Sequence, residues 1–195
     1  MLVLALALCA LLPLCPAVPG GVEEPLPRRL SKVRGFSWKD CGNGTDPFVV
    51  QSLSIAPDPI CLPGDVKVSL AVSSKVDLTA PLKVVLTVEK KIADMWIKVP
   101  CLDQIGSCTY DDVCSILDNA IPPGTPCPEP LLSYGLPCRC PFKQGSYSLP
   151  PSDFYLPITE LPSWLTNGDY HIESTMSNGA QQLACVKMAL SLHSD

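Results

Sequence analysis

Residues 101–140 read CLDQIGSCTYDDVCSILDNAIPPGTPCPEPLLSYGLPCRC and place six cysteines within forty positions. Pro122, Pro123, Pro126, Pro128, Pro130 and Pro137 lie among them. Each proline removes an N–H donor and fixes φ, so the stretch suits neither a long helix nor a central strand. Its order has to come from crosslinks. On either side, apolar and polar residues alternate as they do in half-buried strands. The stretch therefore reads as a stapled insertion in a β scaffold.

The flanks supply the scaffold. From Leu82 to Lys90, the residues Leu82, Val84, Leu86 and Val88 face one way and Lys83, Thr87 and Glu89 the other, the signature of a half-buried antiparallel strand. Met95–Val99 follows a short polar turn, 91–94, which predicts a hairpin. Phe48–Ile55 and Val66–Val72 are β-branched runs separated by Pro57-Asp58-Pro59 and Pro63-Gly64. Ser146–Leu149, Phe154–Ile158, Tyr170–Met176 and Leu183–Leu192 read as further strands. Inside the insertion, Thr109 followed by Asp112 resembles a capping box. Val113, Ile116, Leu117 and Ala120 then repeat at helical spacing until Pro122 ends the run. The fold class is all-β: an antiparallel sandwich or cup of about eight strands with one short helix in the insertion.

The N-terminus has a different composition. Leu2–Leu14 carries no charged side chain and is too short to span a membrane, which needs about 20 residues. It reads as a secretory signal peptide, residues 1–20, followed by a flexible or propeptide segment, 21–33, and one domain, 34–195. The leader takes Cys9 and Cys15 with it and leaves nine of the eleven cysteines. On a secretory route their default state is disulfide-bonded, and no Cys-x-x-Cys pair suggests zinc. Nine is odd, and Cys61, in the apolar context Ile60-Cys61-Leu62, is the candidate free thiol. Asn43-Gly44-Thr45 is a glycosylation sequon in a turn-like setting, so Asn43 is the expected acceptor.

Composition narrows function mainly by exclusion. The formal net charge is −5 and no basic block is present, which argues against nucleic acid. With a sequence pI near 4.9, the chain would lose its repulsion from anionic lipid in an acidic compartment. No nucleophile elbow occurs, and His171 reads as a solvent-facing strand residue and His193 as part of a tail. No nucleophile–base set can be assembled, so the chain reads as a non-enzyme that needs no cofactor or resident metal. The informative groups are apolar residues in turns. Trp96 sits at the hairpin entry, and 161–170, LPSWLTNGDY, carries Leu161, Trp164 and Leu165 in loop chemistry. Apolar bulk in a loop marks a folded-back plug or a surface that meets lipid or protein.

Five blocks carry a resemblance: FSWKDC (36–41), LTVEKKIADMWIKVPC (86–101), IGSC (105–108), PCPEPLLSYGLPCRCPFKQGSYSLP (126–150) and ELPSWLTNGDYHIES (160–174). In this order, over nearly the whole domain, the chain resembles the GM2-activator family of lysosomal sphingolipid activators. That resemblance implies a β-cup with a hydrophobic lipid cavity. It implies a carrier that lifts ganglioside GM2 or a related glycolipid from the lysosomal membrane surface and presents it to β-hexosaminidase A, which removes the terminal N-acetylgalactosamine. The location it implies is the lysosome, reached by the secretory pathway with partial secretion. It implies the disulfides Cys41–Cys185, Cys101–Cys108, Cys114–Cys140 and Cys127–Cys138, a choice among 105 connectivities that spacing alone leaves open. By position, Met95, Trp96, Ile97, Leu161, Trp164 and Leu165 would form the lip of the cavity. A secreted β module that binds protein, or a carrier of sulfatide or phospholipid, is the competing expectation.

Overall fold

The computed structural model of the chain describes residues 35–157 and 163–194. The expected leader and flexible segment, along with Ile158 and Leu161, lie outside the described residues. The strands are β1 (Ser37–Asp40), β2 (Phe48–Ala56), β3 (Ile60–Leu62), β4 (Gly64–Ser74), β5 (Lys83–Ile92), β6 (Met95–Lys98), β7 (Thr109–Tyr110), β8 (Gly145–Leu156), β9 (Gly168–Asn178) and β10 (Gln181–Ser194). Helix α1 (Val113–Ala120) follows β7, and a 3-10 turn, Ser163–Leu165, precedes β9.

Two sheets form. The larger runs β1-β10-β9-β5-β6, with β3 beside the end of β10 and β7 beside β5; the smaller is β2-β4-β8. All these pairings are antiparallel except that of β3 with β10. The alternation read in β5 continues across the large sheet. Val84, Leu86 and Val88 register with Met176, Ser174 and Ile172, which in turn register with Ala184, Val186 and Met188. Residues in register share a face, so these nine make one inward surface.

The strands depart from expectation where proline or shortness hides them. Ser146–Leu149 and Phe154–Ile158 are expected as two strands, yet β8 runs unbroken through Pro150 and Pro151. Its pairing advances from Leu149 to Ser152 while β4 moves only from Leu70 to Val68. The bulge takes up a residue there, and β8 is an edge strand, so missing N–H groups cost the ladder little. β1, β3 and β7 are short additions at sheet edges. The expected capping box does not form: Thr109 lies in β7, opposite Val85. Asp112 is itself the N-cap and accepts from the N–H of Cys114 at 3.0 Å.

The structure pairs Cys41 with Cys185, Cys101 with Cys108, Cys114 with Cys140 and Cys127 with Cys138, and leaves Cys61 free. The first bridge closes a separation of 144 residues, long enough to stabilise by on the order of 5 kcal/mol through unfolded-state entropy. Within the insertion, Arg139 donates to the carbonyls of Ile121, Pro122 and Thr125 at 3.2, 2.8 and 2.9 Å. It supplies donors to carbonyls in a segment whose prolines have none to give. Asn43 stands in an exposed turn, its side-chain oxygen accepting from Thr45.

Asp112 also accepts from the N–H of Leu82 and from the Ser115 hydroxyl. The Leu82 N–H foremost, then Ser115, hold its carboxyl below the ordinary 3.8. The ionised form is the one folding favours, so this stability is present above 3.8 and is lost as pH falls through the folded value. Asp112→Ala should therefore cost about 1 kcal/mol at pH 5. In urea unfolding curves, the gap between wild type and variant should shrink as the pH is taken below 3.8.

Candidate lipid-facing site

The β5–β6 hairpin turns through Ala93 and Asp94, with Ala93 at φ +55°. Its register pairs Ile92 with Met95, Lys91 with Trp96 and Lys90 with Ile97. Side chains alternate along a strand, so Met95 and Ile97 share one face with Ile92 and Lys90, while Trp96 and Lys91 share the other. The first face carries the apolar tip: Ile92 is 51% exposed, Met95 65% and Ile97 43%. Trp96 turns away from it and stacks on His171, ring centroids 3.5 Å apart and planes at 16°. His171, expected to be open to solvent, is thus covered by Trp96. His193, expected in a tail, lies within β10 opposite Cys61 of β3.

The 3-10 turn splits its two apolar residues. Trp164 is 46% exposed, whereas Leu165 is 6% exposed and packs with Ile60, Leu62, Val66, Val99, Tyr170 and Leu190. The turn is tethered from both sides. The Tyr170 hydroxyl donates to the Leu165 carbonyl at 2.8 Å, and Lys90 Nζ donates to the Trp164 carbonyl. On the far side, Asn167 accepts from the Ser194 N–H at 2.9 Å, and Ser194 Oγ bonds Thr166 Oγ1 at 2.8 Å. Burial pushes the Tyr170 hydroxyl up to about 12, so it remains a proton donor throughout the neutral and acid range.

These two segments, whose contacting residues Lys90 and Trp164 are 74 apart in sequence, share one notch of about 180 Å³. It is lined by Lys90, Ile92, Ile97, Lys98, Val99, Pro100 and Trp164. The structure thus brings Ile97 and Trp164 together at one mouth, leaves Met95 exposed beside it, places Trp96 on the opposite face and seats Leu165 in the core. Leu161 lies outside the described residues. Sequence reasoning missed Ile92 and Lys90. A signal for Lys90 was present, because the parity that turns Leu86 and Val88 inward turns Lys90 inward too.

Behind the mouth, burial along the inward face of the large sheet is uneven. β9 is paired on both sides, yet Tyr170 alone of its eleven residues is buried; Ile172, Ser174 and Met176 on its inward face are partly buried, beside the buried Leu86, Ala184 and Met188. Core residues gather in three clusters, around Leu190, Leu82 and Leu149, with Phe154 packed against both the first and the third. The outer face of the large sheet is different in kind. A shallow groove of about 540 Å³ there is lined by Thr87, Glu89, His171, Glu173 and Lys187 among others, and Lys187 pairs with Glu173 at 2.9 Å. Trp38, Ile172, Met188 and Ala189 line the groove too, and its charged pair sets it apart from the notch. Cys41, Glu173 and Cys185 converge, but both sulfurs are in a disulfide and cannot act as thiolate ligands.

Comparison with known proteins places this geometry. The ML domain family matches residues 35–192. A mouse (Mus musculus) protein named ganglioside GM2 activator is 57% identical over 167 residues, covering 86% of each chain. Its namesake from Macaca fascicularis is 56% identical over 168 residues, 86% of this chain and 88% of that one. Among solved structures, a Niemann-Pick type C2 protein from Japanese carpenter ant aligns with a TM-score of 0.40 at 17% identity, over 80% of this chain and 99% of that one.

The two halves of the turn should respond differently to truncation. Leu165→Ala should cost about 2–5 kcal/mol, as buried leucine deletions do. Trp164→Ala should cost about 1 kcal/mol or less. Chemical denaturation of the two variants checks the contrast.

Proposed function

This chain belongs to the ML domain family, and from that premise we propose that it is a non-enzymatic glycolipid carrier of the ganglioside GM2 activator type. Its apolar interior takes the acyl chains of a ganglioside while the sugar head stays at the mouth. The observation that carries this reading is the notch lined by the exposed Ile92, Ile97 and Trp164, with the inward face of β9 behind it only partly buried. The names of the mouse and macaque relatives support the ligand class. The proposed client is β-hexosaminidase A, in the acidic lysosome.

Energetics favours a carrier over a simple headgroup binder. Each buried methylene is worth about 0.8 kcal/mol, so a chain of about sixteen carbons loses roughly 13 kcal/mol on leaving a bilayer for water. A soluble protein lowers that barrier only by offering a second apolar place. The exposed Ile92, Met95, Ile97 and Trp164 provide the contact with the membrane at which the exchange occurs. A glycosidase cannot close around a short headgroup lying on a membrane, and lifting the lipid supplies the missing proximity. Charge acts in the same direction: near pI 4.9 the chain's net charge vanishes and its repulsion from anionic lipid with it.

The direct test is transfer of GM2 between vesicles without detergent, coupled to hydrolysis by β-hexosaminidase A. Wild type should move lipid in stoichiometric complexes and stimulate hydrolysis, and a protein-binding module would move none. Trp164→Ala should slow extraction several-fold while staying folded, and normal transfer by that variant would remove Trp164 from the lip. Association with anionic vesicles at low salt should be stronger at pH 4.5 than at pH 7.

A further inference from the structure

Lys90 ends the inward file of β5, in register with Tyr170 of β9 and Ile97 of β6. A lysine at that position would ordinarily run its stem along apolar surface and put its ammonium into water. Here the ammonium instead crosses the mouth. It lies 5.8 Å from the centroid of the Tyr170 ring and donates to the backbone carbonyl of Trp164. Its stem forms one wall of the notch, beside Ile92, Ile97 and Val99.

The backbone opposite makes room for this reach. Gly168 has φ +133°, a conformation L side chains rarely adopt, and a Cβ there would stand 2.9 Å from Lys90 Cε. Two successive carbonyls of the Trp164 turn are therefore held by side chains of different character. Tyr170, buried, holds that of Leu165 and belongs to the core. Lys90, part-exposed, holds that of Trp164 and belongs to the mouth. The first tether is permanent in the folded protein. The second has water as a ready alternative partner and can be exchanged without unpacking Leu165.

We propose that Lys90 is a latch for the mouth: a positioning residue that holds the exposed half of the Trp164 turn against the β5–β6 hairpin and must let go for an acyl chain to pass. This rests on the carrier function proposed above. A chain entering the notch displaces the Lys90 stem from its wall, and moving the stem withdraws the ammonium from the Trp164 carbonyl. Once the chain has passed, the bond re-forms and retains it. Lys90 touches no reacting group and acts through the position of Trp164.

The test replaces the ammonium and keeps the stem, Lys90→Met, with Lys90→Arg restoring a cationic donor and Lys67→Met, on the other sheet, as the charge control. Amide exchange followed by mass spectrometry should show residues 163–167 of Lys90→Met exchanging about tenfold faster than wild type, with β9 and β10 unchanged. Lys90→Arg should return toward wild type and Lys67→Met should match it. Preformed complexes of the Met variant with GM2 should lose lipid to acceptor vesicles several-fold faster. Exchange at 163–167 equal to wild type overturns the latch. So does exchange raised throughout the sheet in both Lys90→Met and the shorter polar variant Lys90→Gln, which would mark a packing residue. The exchange arm needs no lipid: wild type that carries none sinks the carrier reading, while the latch is still decided by exchange.

Discussion

The β2-β4-β8 sheet forms its ladders only within itself, so its attachment to the larger sheet depends on what lies between and across them. Face-to-face sheets stand about 10 Å apart, and large side chains from both must fill that layer. Here burial in that layer is uneven: Leu86, Ala184 and Met188 of the large sheet are buried, while Ile172, Ser174 and Met176 are partly so. Midway along β9, between Leu86 and Val186, the inward residue is Ser174. The filling is concentrated at the ends and at one side. Leu190, Tyr170 and Leu165 gather under the mouth, Leu82 and Leu183 pack with α1, and Leu131 and Ile121 of the insertion lie against Leu149. Crosslinks add to what this packing supplies. The Cys41–Cys185 bridge stitches the first ordered segment to the last strand, and three more bridges fix the insertion.

The same constraint explains the insertion's chemistry. A proline-rich segment satisfies only some of its own carbonyls, as the N–H groups of Thr125 and Leu132 do for Pro122 and Pro128. Arg139, held between Cys138 and Cys140, donates to three of them and so replaces the missing secondary structure with one planar fork. Covalent closure positions the arginine, the arginine orders the chain, and the ordered chain presents Leu131 at 1% exposure to the small sheet. Surface ion pairs such as Lys67–Asp153 are exposed on both partners and add little to this.

Much of this was legible because strand alternation has a period of exactly two residues, and a register error would turn a whole face outward. Val84, Leu86 and Val88 could be placed from sequence for that reason. β8 was not legible as one strand, because Pro150-Pro151 is a break signal locally and a tolerated bulge only at a sheet edge, a fact of topology. β3 is three residues between prolines, too short to show a period. At the site, Trp164 was visible as apolar bulk in a turn, but Leu165 beside it has the same character in sequence. Only the fold, by giving Leu165 the company of Tyr170 and Leu190, separates them. Trp96 was misleading in the same way: hairpin parity, fixed by the turn at Ala93-Asp94, sends it to the polar face against His171.

The parts that hold the scaffold and the parts that respond to acidity are distinct. Disulfides do not titrate. The Tyr170 hydroxyl keeps its proton far above neutrality, and the Asp112 carboxylate, held by the Leu82 N–H, keeps its charge below the usual range. None of these changes state between neutral pH and pH 5. The net charge does fall over that interval, because nineteen carboxylate side chains are set against fourteen lysines and arginines. Acidification therefore removes the repulsion that keeps an exposed apolar mouth away from an anionic surface, while the tethers that shape the mouth stay as they were. A carrier that had to unfold in order to bind membrane would lose its cargo space on arrival. Charge and scaffold are thus separate, and acidification changes the first while leaving the second as it was.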